Sequence, residues 1–298
     1  MIYTVTFNPA LDYVMNVADF SVGKIHYAES EHIYCGGKGI NVSQILAQLG
    51  VESVALGFIA GFVGDKIESE LNNMGIKTDF VRLKSGMSRI NVKVRSGGET
   101  DVNTNGPFID NDSLNQFFSK LDGLTEGDVL IVSGSVPKCL PANVYEDILS
   151  RVNGKGLLSV VDASGERLVN TLKYHPFLIK PNNDELSEIF EKEVSSLDEI
   201  ADCAKRLQAM GAKNVLVSMG KNGSVLFCEN GNILRADSVG GKAVNTVGAG
   251  DSMVAGFVAG YIKTADFAYA LKLGTAAGSA TAVSEGLATA EKINELMK

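Results

Sequence analysis

Asn245-Thr246-Val247-Gly248-Ala249-Gly250-Asp251-Ser252 reads as a turn of small residues feeding a helix, which continues Met253-Val254-Ala255-Gly256-Phe257-Val258-Ala259 and is predicted over about Asp251–Ile262. The first turn of a helix leaves four backbone N–H groups without partners, and the aligned peptide dipoles add partial positive charge there. Glycines at 248 and 250 let a ligand approach that backbone closely. Gly248, Ala249 and Gly250 therefore outline an anion cradle suited to phosphate. Asp251 puts a carboxylate into the same cradle. That is unfavourable beside a bound phosphate unless the carboxylate does chemistry, for instance taking a proton from an attacking hydroxyl. Anion hole plus base is what phosphoryl transfer needs. The competing reading is a tight turn with Asp251 as N-cap. The segment is not a Walker A loop, which requires G-x-x-x-x-G-K-[ST]. Met253 also stands where the dinucleotide fingerprint G-x-G-x-x-G needs its third glycine.

The rest of the chain supplies a frame for this turn. Met1–Asn8, Ser53–Phe58, Asp128–Ser133, Leu157–Asp162, Phe177–Lys180 and Asn214–Ser218 read as strands. Val129-Leu130-Ile131-Val132 is apolar throughout, as expected for a strand covered on both faces. Helical patterns fall near Asn41–Leu49, Asp65–Met74, Ser113–Leu121, Ala142–Val152, Asn182–Lys192 and Leu197–Met210, and later at Asp266–Ser284 and Thr289–Met297. Strand–helix alternation predicts an α/β fold with a mainly parallel sheet and helices on both faces. Ligands bind beyond the carboxyl ends of such strands, and Ser133, Asp162, Lys180 and Ser218 all terminate strands. Two segments break the alternation. Tyr13–Tyr34 and Arg89–Asn103 look like strands of alternating polarity, the second a hairpin turning at Ser96-Gly97-Gly98. With no linker or repeat, residues 1–298 are predicted to form one domain with a small sheet grown from it.

Bulk properties narrow the function classes. The chain has 298 residues, 45% of them hydrophobic, enough for a sizeable core. It has no apolar run of membrane-spanning length, and its start lacks the basic flank of a signal peptide. The cysteines at 35, 139, 203 and 228 form no C-x-x-C pair, so reduced thiols and a cytoplasmic location are expected. A net charge of -8 without a basic stripe argues against nucleic acid.

Cys35-Gly36-Gly37-Lys38-Gly39-Ile40-Asn41-Val42-Ser43 also feeds a helix, about two hundred residues before the Gly-x-Gly-Asp turn. Together the two segments resemble the signatures of the ribokinase-like, or PfkB, sugar kinase family. Asn8-Pro9-Ala10-Leu11-Asp12, Ser133-Gly134-Ser135-Val136-Pro137, Lys180-Pro181-Asn182-Asn183-Asp184-Glu185 and Ser218-Met219-Gly220-Lys221-Asn222-Gly223 fall in the family's order. The likeness covers essentially the whole chain and is nearest to the bacterial 1-phosphofructokinase and tagatose-6-phosphate kinase branch. It implies a three-layer α/β/α fold and a β-sheet lid from about 13–34 and 89–103 that covers the sugar and pairs subunits into a homodimer. It also implies ATP and Mg²⁺ as cofactors.

The resemblance assigns expected roles. Asp251 is the general base beside the Gly248–Gly250 anion hole. Asp12 accepts hydrogen bonds from sugar hydroxyls, and Gly36, Gly37 and Asn41 contact the sugar. Lys38 suits a substrate that is already phosphorylated, since Lys binds phosphate as a point charge. Arg89 could clamp the same phosphate, with Ser135 and Lys138 as further acceptor contacts and Lys24 a weaker one. Lys180, Asn182, Ser218, Gly220 and Gly223 approach the nucleotide, and Glu185 orders Mg²⁺ through water. Asn182 and Glu185 also match a capping box, and both readings can hold. The expected reaction moves the γ-phosphoryl of ATP to the 6-hydroxyl of D-fructose 1-phosphate, giving fructose 1,6-bisphosphate. A tagatose-6-phosphate kinase is the alternative within the fold, and an inactive sugar-phosphate-binding protein the alternative outside enzymes.

Overall fold

Successive side chains of a strand point to opposite faces, so a strand apolar at every position needs a hydrophobic layer on each side. The stretch Val129–Val132 meets this condition. Leu130 and Val132 enter one core, Val129 and Ile131 another. The computed structural model describes residues 1–298. Along the chain run β1 (Ile2–Thr6), β2 (Ala10–Asn16), β3 (Ser30–Gly36), α1 (Lys38–Gln48), β4 (Ser53–Ile59), α2 (Gly61–Asn73), β5 (Lys77–Thr78) and β6 (Val81–Arg82). Next come β7 (Arg89–Arg95), β8 (Glu99–Asn103), α3 (Asn111–Asp122), β9 (Val129–Ser133), α4 (Val144–Val152), β10 (Leu158–Asp162), α5 (Gly165–Thr171), β11 (Leu178–Ile179) and α6 (Asn183–Phe190). The last are α7 (Leu197–Ala209), β12 (Asn214–Ser218), β13 (Ser224–Phe227), β14 (Ile233–Ala236), α8 (Ala249–Thr264), α9 (Phe267–Ala282) and α10 (Ala290–Leu296).

The large sheet has the order β14-β13-β12-β11-β10-β9-β1-β4-β5, with β6 also on β4. Its strands are parallel except at the β13–β14 edge, which is antiparallel. Helices α3 to α7 contribute Phe117, Ile148, Leu168, Leu186 and Leu207 to the core on one face. Helices α1, α8, α9 and α10 contribute Ile45, Phe257, Leu271 and Ile293 to the core on the other. The predicted α/β arrangement is therefore present, with a non-parallel edge that the sequence reading lacked.

A separate four-stranded sheet has the order β3-β2-β7-β8, in which β2 and β7 are parallel. The segment read as Tyr13–Tyr34 is not one strand. It is two strands separated by irregular residues 17–29, and Asp12 lies inside the first of them, β2. Helix α2 and the start of α1 carry the small core beneath this sheet, where Leu11 and Cys35 meet Ile40, Val63 and Ile67. No helix is long and apolar enough to cross a membrane, and all four cysteines are free.

Candidate active site

The helix predicted from Asp251 begins earlier, at Ala249, with Gly248 as its N-cap at φ 81°. Only glycine adopts that conformation without strain. A Cβ at 248 would also sit 2.6 Å from Leu287 Cδ2. No side chain caps this helix, which removes the reading of Asp251 as N-cap. Asp251 stands in the first turn and is buried, 5% exposed. The amides of Gly250 and Asp251 have no intrahelical acceptor. Ala249 departs from expectation: closing the turn commits its N–H to Thr246 O at 3.2 Å.

Three further charges converge on this helix end. Asp162 ends β10, Lys180 follows β11 and Lys38 opens α1, all at the carboxyl edge of the large sheet. Asp162 is 1% exposed, with Lys180 Nζ 3.2 Å from its Oδ1 and Lys38 Nζ 3.3 Å from its Oδ2. Burial alone would push the Asp162 carboxyl up, but the two ammonium groups outweigh it and hold the carboxyl below its ordinary range. Lys38 is held above its ordinary value in return: Asp162 and Asp251 overcome the burial that disfavours its charge. A Cβ at Gly250 would lie 3.2 Å from Lys180 Nζ, so this ammonium hangs directly over the first turn of α8.

Asp251 sits among these charges but is shifted the other way, from its ordinary 3.8 up to about 6. Burial is the main cause and the charge of Asp162 the next. The Asn41 amide, Lys38 and Lys180 pull downward without prevailing. Asn41 Nδ2 donates to Asp251 Oδ2 at 2.8 Å. A buried carboxyl poised near neutrality, beside an anion-binding helix end, can accept a proton at physiological pH.

The small sheet faces this centre with a polar surface. Asp12 pairs across the strands with Tyr34 and Asn91. Asn91 Nδ2 donates to Asp12 Oδ1 at 2.7 Å, and Arg89 Nε donates to Asn91 Oδ1 at 3.1 Å. Gly36 lies against the same carboxylate: a Cβ there would be 2.8 Å from Asp12 Oδ2. Gly37 takes φ 121° to turn the chain into α1. A cleft of about 590 Å³ separates the sheet from the body, lined among others by Asp12, Tyr34, Asn41, Gln44, Asn245 and Leu287.

Residues 5–294 match the sequence profile of pfkB family carbohydrate kinases. The chain belongs to that family. It is similar to the 1-phosphofructokinase of Bacillus subtilis strain 168, at 43% identity over 100% of this chain and 97% of the relative. It is 38% identical to the D-tagatose-1-phosphate kinase of Bacillus licheniformis, over 99% of this chain and 97% of that one. The structure of phosphofructokinase-2 from Escherichia coli, in complex with substrates and products, superposes with a TM-score of 0.91 at 26% identity, covering 99% of this chain and 98% of that one. The layered arrangement is the ribokinase-like one that the resemblance implied.

Within this pfkB-family fold the residues picked from sequence fall into separate neighbourhoods. Lys38, Asn41, Lys180 and Asp251 gather at the start of α8, Asp12, Gly36 and Arg89 gather on the small sheet, and Asp12 and Asn41 both line the cleft between them. Asn182 and Ser218 are brought side by side by an isolated parallel bridge, near the short 3-10 turn Gly220–Asn222 and the buried Gly223. Ser135 and Lys138 are exposed in the loop after β9, whose Gly134 approaches Lys38.

Two of the expected acceptor contacts also have partners within the chain. Lys38 Nζ pairs with Asp162 Oδ2 at 3.3 Å while 43% of its side chain stays exposed. Asn41 gives one amide N–H to Asp251 and keeps its second N–H and its oxygen for a further partner. Asp162 went unassigned in sequence. Its one signal was a carboxylate closing the apolar strand Leu158-Ser159-Val160-Val161.

Family membership also bears on Mg²⁺. No group of three acidic, histidine or cysteine side chains could cage a metal. Asp162 Oδ2 accepts from Lys38, whereas Oδ1 lies 3.2 Å from Lys180 Nζ without a hydrogen-bond partner and faces an ammonium rather than an open site. Glu185 Oε2 accepts from the Asn182 amide at 2.9 Å within a complete capping box, leaving Oε1 outside the cap. A single carboxylate with one open oxygen fits a cation that keeps most of its waters and travels with nucleotide phosphates.

Proposed function

We propose that this kinase transfers the γ-phosphoryl of ATP to the 6-hydroxyl of D-fructose 1-phosphate. The observation that carries the chemistry is Asp251, buried in the first turn of α8 with its carboxyl raised to about 6 and flanked by Lys38 and Lys180. Asp251 takes the proton as the hydroxyl O–H bond breaks and the new O–P bond forms. The bond from γ-phosphorus to the bridging oxygen breaks, and its electron pair leaves with ADP. The amides of Gly250 and Asp251, with Lys38 and Lys180, stabilise charge on the moving phosphoryl group. Lys180, Asn182, Ser218, Gly220 and Gly223 flank the nucleotide. Mg²⁺, held through water by Glu185, neutralises phosphate charge when bound.

Acceptor recognition falls to the small sheet. Asp12 holds vicinal hydroxyls, Asn91 fixes Asp12, and Arg89 meets the acceptor's own phosphate from the end of the same hydrogen-bonded chain. Ser135 and Lys138 reach the acceptor from the opposite loop. The choice of fructose 1-phosphate rests on the 43% relative named 1-phosphofructokinase. The 38% relative named for D-tagatose 1-phosphate supports a second reading with that ketose as acceptor. ADP release assayed in parallel with fructose 1-phosphate, fructose 6-phosphate, tagatose 1-phosphate and tagatose 6-phosphate separates them. The proposal requires the largest kcat/KM with fructose 1-phosphate and fails if any other acceptor exceeds it.

The small sheet acts as a lid on a single domain spanning 1–298, and as the contact between two copies. Its face opposite Asp12 carries the cross-strand row Ile33, Tyr13, Val92 and Val102. Ile33 is 54% and Val102 60% exposed while Tyr13 and Val92 are half-buried, so this chain's own body leaves the two ends of the row uncovered.

A further inference from the structure

We infer that Asn41 is a positioning residue for the base: its amide holds one oxygen of Asp251 and aims the other at the acceptor hydroxyl. This deepens the reading of Asp251 as base and rests on it. A carboxylate turns easily about its last torsion, which has broad, roughly two-fold wells. The contact from Asn41 Nδ2 to Oδ2, at 2.8 Å, is the one hydrogen bond the Asp251 side chain makes within the chain. Without it nothing fixes which oxygen faces the cleft.

The donor is itself held rigidly. Asn41 lies in the first turn of α1, its own N–H bonded to Gly37 O at 2.8 Å. Its neighbours Ile40 and Val42 are fully buried. Nδ2 lies 3.6 Å from where a Cβ on Gly248 would stand, which wedges the amide between the starts of α1 and α8. The orientation of the amide follows from chemistry. Turned the other way, its oxygen would face an ionised carboxylate, acceptor against acceptor. The amide keeps a second N–H and its oxygen for a sugar hydroxyl, so one side chain touches both partners of the proton transfer.

The charges around Asp251 are Asp162 from β10, Lys38 from α1 and Lys180 after β11, with the amide end of α8 itself. Asn41 is the neutral member of this set, and the one that acts by direction as well as by field.

The test begins with the ligand-free protein, so it does not depend on the acceptor being correctly identified. The Asp251 carboxyl is followed by ¹³C-aspartate NMR against pH and assigned by its loss in Asp251→Asn. In Asn41→Ala the titration is expected to move up by about one pH unit or more, as one donor to the ionised form is lost. Asn41→Asp keeps the shape, removes the donor and adds a like charge, so it should move the titration at least as far. An unchanged Asp251 titration in both variants overturns the inference. With saturating ATP and acceptor, kcat at pH 7 is expected to fall about ten- to a hundred-fold, and its acid limb to shift upward with the NMR titration. A rise confined to the KM of the sugar phosphate, with kcat and the acid limb unchanged, makes Asn41 a sugar contact only and overturns it too.

Discussion

At the scale of single residues, Asp251 as the proposed base is expected to govern both rate and pH response. Asn cannot accept the proton, so Asp251→Asn is expected to lower kcat by at least about 10²-fold with little change in either KM. Retention of a tenth of the activity would remove Asp251 from the role of base. In the unaltered enzyme kcat/KM should rise with pH through about 6, since only the ionised carboxyl serves. The same shift links to stability. The folded state binds the proton more tightly than the unfolded chain, so the stability tied to Asp251 is complete below pH 3.8 and is lost as pH rises through about 6. Asp251→Asn should therefore be more stable than the parent at pH 8, by on the order of 3 kcal/mol at most, and equal to it near pH 3.5. Thermal melts at the two pH values check the sign. Lys38 and Arg89 divide by partner. Lys38→Met is expected to lower kcat about ten- to a hundred-fold, because its ammonium lies with Asp162 and Asp251. Arg89→Ala should raise the KM of the sugar phosphate by a similar factor and leave that of ATP alone. Steady-state kinetics in both substrates would expose a reversed pattern at once.

At the scale of elements, the helix pair α8 and α9 sets where Asp251 stands. The two backbones touch: a Cβ on Gly274 would lie 2.8 Å from Met253 O, and one on Gly256 2.7 Å from Leu273 O. Backbone cannot yield as a flexible side chain does, so Gly274→Ala should destabilise the protein by about 1–3 kcal/mol and lower kcat by displacing α8. An unshifted urea midpoint would mean that the helices part freely. Much of this level was legible in sequence. Strand β12 matches its predicted bounds and β10 starts one residue late, because each is an apolar run closed by polar residues. Helix α5 was missed, since its seven residues span two turns and give little periodicity. Strands β13 and β14 were missed for their length, four residues each. Residues 17–29 misled the reading because Val22, Ile25 and Tyr27 look strand-like yet are 95%, 87% and 87% exposed. In the site, Gly248, Gly250 and Asp251 could be picked because local spacing carries their meaning, whereas Asp12 was picked through the resemblance to the family. The contact of Lys38 with Asp162 joins residues 124 apart, and only the packed sheet brings them together.

At the scale of the whole molecule, the row Ile33, Tyr13, Val92 and Val102, uncovered at its two ends, should bring two copies together. A homodimer is expected by sedimentation at micromolar concentration, broken by Val92→Asp. A single species near 31.6 kDa at every concentration would rule it out. Each copy carries a net charge of -8. An association driven by apolar area should therefore persist or tighten as salt screens that repulsion.

The two sheets also divide the labour of the site. In the proposed reaction Asp251 and Lys180 act from the large sheet's side and Lys38 from the turn that follows β3, whereas Asp12, Asn91 and Arg89 are carried on β2 and β7 of the small sheet. Choice of sugar and rate of transfer are thus expected to be largely separable by mutation, with Asn41 as the residue that touches both. For protein engineering this locates the useful positions. Tyr34, Asn91, Lys93 and Asn103 share the face of Asp12 through the strand register. A library confined to them would vary which phosphorylated ketose is accepted while the ATP half of the enzyme stays as it is.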